Sequence, residues 1–219
     1  MAFTFPLSRN AFFADVPTTE QTFDLRENIE VSGLADGSIL RDDLGPRLWA
    51  GRCTIEHMTF WKAREIEAKL SLLQGVGASF FVWRLDCAYP AGDPDGSLVS
   101  GSSPVISALN ANNRELKISG LPVGYSLGPG DMLSFAYGSS PTRYALHRIV
   151  SDAAVANAGG ETPYLEVVPH IRPGAVTSTA VVLGRPYCKA VIVPGSVQPG
   201  VARGAKVRGL SFEFMQTLR

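Results

Sequence analysis

Apolar residues recur at helical spacing in one segment of the chain, TFWKAREIEAKLSLLQG, which spans residues 59–75. Four of them fall at positions i, i+3, i+7 and i+10, which lie on one face of a helix. They are Ala63, Ile66, Leu70 and Leu73. Thr59 can cap the first free amide groups, and Gly75 stands where a C′ glycine would end the helix. The pattern predicts an amphipathic helix over residues 59–75.

Strand patterns flank this helix. The preceding run, RLWAGRCTIEHM, alternates with a period of two from residue 47 to residue 58. Trp49, Cys53 and Ile55 then lie on one largely apolar face. The following run, ASFFVWRLD, is nearly continuously apolar, as expected of a strand that is covered on both faces. We therefore predict a strand, a helix and a strand in succession.

Short strand candidates fill most of the remaining chain, and turn clusters separate them. They are RELKIS, MLSFAYG, YALHRIV and YLEVVPHI, followed by TSTAVVLG, YCKAVIV and GLSFEFMQT. Such lengths and spacings are typical of a small β-barrel or β-sandwich. The 22 glycines and 15 prolines also favour tight turns over long helices. The chain is predicted to be mainly β.

Charge and hydropathy exclude several classes of function. Lys plus Arg and Asp plus Glu number 20 each, so we expect no broad basic face for nucleic acid. No stretch approaches the ~20 apolar residues that cross a bilayer, and the N-terminus lacks the pattern of a signal peptide. We expect synthesis in a reducing cytoplasm and no insertion into a membrane.

The sequence gives little support for a metal site. Cys53, Cys87 and Cys188 lie far apart and form no C-x-x-C pair, so we expect buried or partly buried thiols. The stretch DPDG that starts at Asp93 resembles the start of a calcium loop. Its twelfth position, however, holds Pro104, where calcium needs a bidentate Glu. No metal and no cofactor are predicted.

The stretch GYSLGPGD, residues 124–131, matches the G-x-S-x-G pattern of a nucleophile elbow around Ser126. An elbow serine needs a helix directly after it, whereas a Pro-Gly turn and a strand pattern follow here. The histidines further along the chain, His147 and His170, both lie in strand-like runs. We predict a turn between two strands and expect that the chain is not an enzyme. An esterase built on Ser126 is the last-ranked alternative.

Several stretches, in their order along the chain, resemble one known family. They are LGPRLWAGRCTIEHM, WKAREIEAKLSLLQGVGASFFV, GPGDMLSF, YALHRIV and YLEVVPHIRPG. Together they resemble the distal tail proteins of long-tailed bacteriophages and of related prophages or gene transfer agents. The shared pattern is a tryptophan-containing strand, an amphipathic helix, an apolar strand, a Gly-Asp-led barrel segment and a V-x-P-x-I-R ending.

The resemblance implies a β-sandwich with one amphipathic helix and an inserted, smaller β-barrel or sandwich domain. Changes of composition mark the edges of the insertion. The predicted domains are a ring-forming sandwich made of residues 1–87 and 177–219, and an inserted domain of residues 88–176. In this arrangement GYSLGPGD is the turn that enters a barrel strand, and Asp131 caps the turn with its side chain.

The resemblance also implies a structural role in a virion. Distal tail proteins form a ring, commonly a hexamer, that joins the tail tube to the baseplate or tail-tip hub. The partners would be further copies of the chain, the tail tube protein and the hub proteins, with DNA only in transit through the ring lumen. The protein would be made in the host bacterial cytoplasm and located at the tail tip of the virion.

Two segments are candidates for contact with a neighbouring subunit. One is the N-terminal FTFPL, and the other is the arm PGSVQPGVARGAKVRG, residues 194–209. The interface residues predicted from them are Phe3, Phe5, Arg203, Lys206 and Arg208. For the basic cluster, contact with DNA and a solvated loop that keeps an edge strand soluble remain alternatives.

The aromatic residues leave a second class of function open. Trp49, Trp61, Trp83 and Tyr89 could line a carbohydrate platform, because aromatic faces stack on apolar rings. The alternatives are packing in the core or at a subunit interface. The chain could therefore be a carbohydrate- or receptor-binding β module of a tail tip.

Overall fold

A computed structural model describes residues 3–33 and 35–219 of the chain. Over these residues the fold is mainly β, as predicted, with a single α-helix and a nearly closed, barrel-like sheet among its sheets. The strands are β1 (Glu20–Arg26), β2 (Ile29–Gly33), β3 (Ile39–Asp43), β4 (Leu48–Ile55), β5 (Met58–Thr59), β6 (Phe80–Trp83), β7 (Val105–Leu109), β8 (Glu115–Ser119), β9 (Ser126–Leu127), β10 (Met132–Tyr137), β11 (Arg143–Ile149), β12 (Ala154–Val155), β13 (Leu165–Val168), β14 (Val181–Val182), β15 (Tyr187–Ile192), β16 (Val201–Arg203), β17 (Lys206–Arg208) and β18 (Leu210–Gln216). The helix, α1 (Phe60–Leu73), follows β5.

The chain divides into two compact units. One comprises residues 17–74 and 191–217 and is named the hairpin unit. The other comprises the residues up to 16 together with residues 75–190 and 218–219, and is named the barrel unit.

In the hairpin unit, β4 lies between β1 and β18 and pairs antiparallel with both. The predicted buried face of β4 is confirmed, since Trp49, Cys53 and Ile55 are fully buried. Phe23 of β1 and Phe214 of β18 both stand opposite Gly51, and their ring centroids are 5.4 Å apart. A Cβ at Gly51 would overlap a carbonyl oxygen of β1 and crowd Phe214, so only glycine fits there.

The helix α1 confirms the sequence pattern. Thr59 is its N-cap, and its hydroxyl accepts a hydrogen bond from the Lys62 backbone N–H at 3.4 Å. The helix ends at Leu73, with Gln74 as the C-cap, so Gly75 takes the predicted C′ position. The four predicted apolar residues, Ala63, Ile66, Leu70 and Leu73, are all buried. Their burial ties α1 to the hairpin unit, where it packs beside β5 and β17.

The barrel unit is built on a six-stranded antiparallel sheet in the order β14, β10, β11, β13, β8 and β7. Backbone hydrogen bonds bring the two end strands together. The Ile106 N–H donates to the Thr179 carbonyl oxygen at 2.9 Å, and the Val181 N–H donates to that of Pro104 at 2.8 Å. The sheet thus nearly closes around a core that includes Ile106, Leu116, Ile118, Leu133, Ile149, Leu165 and Val181.

The closing strand β14 begins at Val181, beyond the predicted end of the insertion at residue 176. The barrel sheet therefore uses a segment that the sequence assigned to the sandwich. That residues 88–176 fold as a separate domain stays a prediction.

Two buried aspartates hold the loops beside the barrel. One oxygen of Asp131 accepts from the Gly128 N–H and the other from the Ala91 N–H, both at 2.8 Å. Asp93 accepts from the N–H groups of residues 98–99 at 3.2 and 3.0 Å. The predicted capping of the GYSLGPGD turn by Asp131 is therefore confirmed. The carboxylate of Asp93 points at backbone amides of its own loop.

Candidate interaction surfaces

The N-terminal segment of the barrel unit is anchored at Leu7 and exposed before it. Leu7 is buried, and its N–H donates to the Ser79 carbonyl oxygen at 2.8 Å. Phe3 and Phe5, by contrast, are 57% and 40% exposed. The two predicted interface aromatics therefore lie on the surface, next to a fixed point of the fold.

The predicted basic cluster lies on a β-hairpin made of β16 and β17, named the basic hairpin. In its register Arg203 stands directly opposite Lys206, and Val201 stands opposite Arg208. Alternate cross-strand pairs share a face, so these four side chains lie on one face of the hairpin. All four are exposed, whereas Val207, on the other face, is buried. One face of the basic hairpin thus packs on the hairpin unit through Val207, and the other face presents three cations to solvent.

A second exposed hairpin was not predicted from the sequence. Among the residues that the structure describes, the strands β2 and β3 pair with each other alone and form a two-stranded sheet, named the acidic hairpin. Residues 27–44 carry five carboxylates against one arginine. Of the residues in its strands, all except the half-buried Ile29 are exposed, and they include Val31, Ile39 and Leu40. The Asp36-Gly37 pair at its turn is the signal that could have indicated it.

The four residues of the suggested carbohydrate platform do not lie together. Trp49 is fully buried in the hairpin unit, where it packs on Phe23. Trp61 is 67% exposed and lies at the start of α1, and its ring is tilted by 38° against that of Phe60. The exposed aromatic pair of α1 is a further apolar surface of the hairpin unit. Trp83 and Tyr89 both belong to the barrel unit, where Trp83 is 4% exposed and Tyr89 is half-buried.

Trp83 and Tyr89 line one recess of about 300 Å³ in the barrel unit. Two arginines also line it: the Arg9 guanidinium lies 4.8 Å from the Tyr187 ring centroid, and that of Arg185 lies 6.0 Å from that of Trp83. The recess therefore combines aromatic walls with two cationic groups. This is the usual composition of a site for a polar ligand that also carries an apolar surface.

Ser126 lies in β9, which pairs with β12. After Leu127 the chain turns and enters β10, so a strand follows the serine where an elbow needs a helix. His147 is buried, its Nδ1 donates to the Pro169 carbonyl oxygen at 2.7 Å, and burial lowers its pKa to about 4. His170 is exposed. No hydrogen bond in the described part of the chain joins Ser126 to either histidine.

The cysteines are free thiols, as predicted: Cys53 and Cys188 are buried and Cys87 is half-buried. Burial raises the pKa of Cys53 to about 12 and also raises the pKa values of the other two thiols. Over residues 3–33 and 35–219, no three His, Cys, Asp or Glu side chains come together in a group that could hold a metal ion. In the same residues, no helix has the length and apolar character needed to span a membrane.

Neither a scan against protein-family models nor a search of the curated proteins finds a match to this chain.

Proposed function

We propose that this chain is a structural virion component, a distal tail protein whose copies form a ring that joins the tail tube to the baseplate or tail-tip hub. The resemblance of the sequence to that family motivates the proposal. The observation that carries it is the pair of exposed hairpins of opposite charge in one compact unit.

Closure of a ring constrains the contact surfaces that each subunit must carry. A cyclic assembly of identical subunits needs two different patches on each copy, because each contact is heterologous and rotation repeats it. Each contact should bury about 1,000 Å² or more to persist in a particle. The exposed surfaces available include the two hairpins, the Phe60 and Trp61 pair, and the segment that carries Phe3 and Phe5.

The partners in this proposal are further copies of the chain, the tail tube protein and the hub proteins. DNA would pass through the ring lumen without being a stable ligand. Six copies are expected from the resemblance. The protein would be made in the host bacterial cytoplasm and would reside at the tail tip.

The test is native mass spectrometry and electron microscopy of the purified chain, alone and with the tail tube and hub proteins. We expect a closed ring, of six copies, in at least one of these mixtures. A chain that stays monomeric alone and forms no ring within an assembled particle would contradict the proposal.

The proposal includes the expectation that the chain has no enzymatic activity. The strand that follows Ser126 and the capped turn around Asp131 favour a structural use of this stretch. A broad hydrolase screen tests the point. Activity that disappears in a folded Ser126→Ala variant would show that the expectation is wrong.

A second candidate function is the binding of a saccharide or receptor by the barrel unit. The recess lined by Trp83, Tyr89, Arg9 and Arg185 favours it. A glycan array probed with the wild-type chain tests it, with an Arg9→Ala/Arg185→Ala variant as the comparison. Specific binding that is lost in this variant would support the second function, and the absence of binding to any glycan would remove saccharide binding as a function of the barrel unit.

A further inference from the structure

We propose that the acidic hairpin of one copy docks face to face on the basic hairpin of a second copy, and that this contact joins successive subunits. The inference rests on the proposed ring and adds to it which surfaces meet. It is argued from the charge and register of the two hairpins.

One face of the acidic hairpin carries an unfavourable charge pair. In its register Glu30 stands directly opposite Asp42, and the neighbouring pair on the same face is Ser32 and Leu40. Like charges directly opposite each other destabilise paired strands, and a lone two-stranded ribbon is only marginally stable in water. Within the described residues, neither carboxylate forms an ion pair. The repulsion would be relieved by cations from outside the chain.

The basic hairpin carries the opposite arrangement. Arg203 stands directly opposite Lys206, with Arg208 on the same face and Val201 beside them. In the part of the chain that the structure describes, none of these three cations forms an ion pair. The buried Val207 occupies the other face, so the cationic face is the one left for a partner.

The two faces match in chemistry and layout. Each has a directly opposed pair of like charges, and each has an exposed aliphatic side chain beside it: Leu40 is 57% exposed and Val201 is 70% exposed. Docked face to face, the carboxylates would meet cations and the aliphatic groups could be covered together. The chain as a whole has equal numbers of acidic and basic residues, so the segregation of charge onto two hairpins is not a consequence of composition.

Each copy carries both the acidic and the basic surface. A second copy of the chain is therefore the partner that binds the acidic hairpin. The two hairpins are different patches of the hairpin unit, so the contact between copies is heterologous. A heterologous contact repeated by rotation is the kind that closes a ring. Electrostatic complementarity of this type also fixes the register of association and excludes wrong partners.

A charge-swap experiment tests the contact. In the first variant, Glu30→Lys/Asp42→Lys, the docking faces of both hairpins are basic; in the second, Arg203→Glu/Lys206→Glu, the opposed charge pairs of both faces are acidic. For each variant alone we expect the concentration needed for half-assembly to rise at least about tenfold. An equimolar mixture of the two should assemble again, because alternating copies restore an opposite charge at every contact. A ring with an even number of copies, such as a hexamer, can close in this way.

Native mass spectrometry and sedimentation at low ionic strength give the readout, and circular dichroism confirms that each variant is folded. The matched control is Glu20→Lys/Glu56→Lys, which reverses two other exposed carboxylates of the hairpin unit and should assemble like the wild type. If the two hairpin variants also assemble like the wild type, the hairpin contact is overturned while the ring stands.

Two further outcomes are distinct from that one. A wild-type chain that forms no ring, even with the tail tube and hub proteins, overturns the proposed function and the hairpin contact together. Unchanged assembly of Arg203→Glu/Lys206→Glu, with loss of binding to double-stranded DNA, assigns the basic hairpin to DNA and overturns the contact with a second copy.

Discussion

The barrel and the acidic hairpin are both antiparallel β-structure, but they differ in where their stabilisation comes from. In the barrel, Leu116 of β8 pairs with Leu165 of β13, and both are fully buried. In the acidic hairpin, Val31 pairs with Arg41 and Leu40 pairs with Ser32, and all four side chains are exposed. The barrel covers its apolar residues within one chain, whereas the hairpin leaves its own uncovered.

The folding of a single copy accounts for the sequence of the barrel but not for that of the acidic hairpin. Burial of apolar side chains accounts for the barrel, since each such side chain contributes about 1.5–3 kcal/mol when it leaves water. No comparable gain holds the acidic hairpin, whose opposed carboxylates oppose its formation. We propose that a second copy covers the acidic hairpin and supplies the missing stabilisation. The following predictions test this contrast, from the largest expected effect to the smallest.

Truncation of the barrel core should have the largest effect. We expect Leu116→Ala to lower the free energy of unfolding by about 2–5 kcal/mol, because it leaves a cavity where the side chain was fully buried. Urea unfolding followed by circular dichroism measures the change. A loss below about 1 kcal/mol would show that the site collapses or that the barrel core is not packed as described.

The buried His147 should make the barrel sensitive to acid. Burial lowers its pKa to about 4, from an ordinary value of 6.5. The unfolded chain therefore takes up a proton before the folded chain does, so stability falls as the pH drops from about 6.5 towards 4. The loss attributable to this group should reach about 3 kcal/mol at pH 4.

The matched comparison for this prediction is His147→Phe against His170→Gln. The first variant should lose that part of the pH dependence, whereas the second should keep it, because His170 is exposed. Urea unfolding at a series of pH values gives the readout. Identical pH profiles for wild type and His147→Phe would show that the histidine is not buried in its neutral form.

The capping aspartate should have an intermediate effect. In Asp131→Asn, an amide group replaces one of the two oxygens that accept backbone N–H groups at 2.8 Å. The NH2 group of the Asn side chain then faces a backbone N–H donor, and we expect the free energy of unfolding to fall by about 1–3 kcal/mol. Asp95→Asn is the control, since that side chain is exposed and bonds only within its own turn. Equal losses in the two variants would contradict the role of Asp131.

A substitution on the acidic hairpin should have the smallest effect on a single copy. We expect Leu40→Ser to change the free energy of unfolding of the monomer by less than about 0.5 kcal/mol, because the side chain is already exposed. Thermal and urea unfolding under dissociating salt provide the measurement. A loss comparable to that of Leu116→Ala would mean that the hairpin is held by contacts within its own chain.

Local patterns predicted much of the fold. The spacing of Ala63, Ile66, Leu70 and Leu73 gave the buried face of α1, and the alternation from Trp49 to Ile55 gave that of β4. Asp side chains next to turns often accept hydrogen bonds from nearby backbone N–H groups, and this tendency predicted the cap at Asp131. In each case the signal and the contact it predicts lie within a few residues or on one regular element.

Features that depend on distant pairing were missed. The barrel nearly closes through backbone hydrogen bonds between the segments around Ile106 and Thr179. These segments lie far apart in the sequence, and the pattern of neither one indicates that it pairs with the other. The acidic hairpin was missed because β3, ILRDD, does not alternate between apolar and polar residues, although β2, IEVSG, does. The basic cluster was found by composition, but only the register shows that Arg203 and Lys206 stand opposite each other.

Hydrogen exchange of the chain in its dilute and assembled states tests most directly whether a second copy covers the hairpins. We predict that the backbone amides of residues 29–33, 39–43 and 201–203 exchange fast in the monomer and become protected on assembly. The barrel amides of β8, β10 and β11 should exchange slowly in both states. Assembly that leaves both hairpins as fast to exchange as in the monomer would contradict the proposed contact.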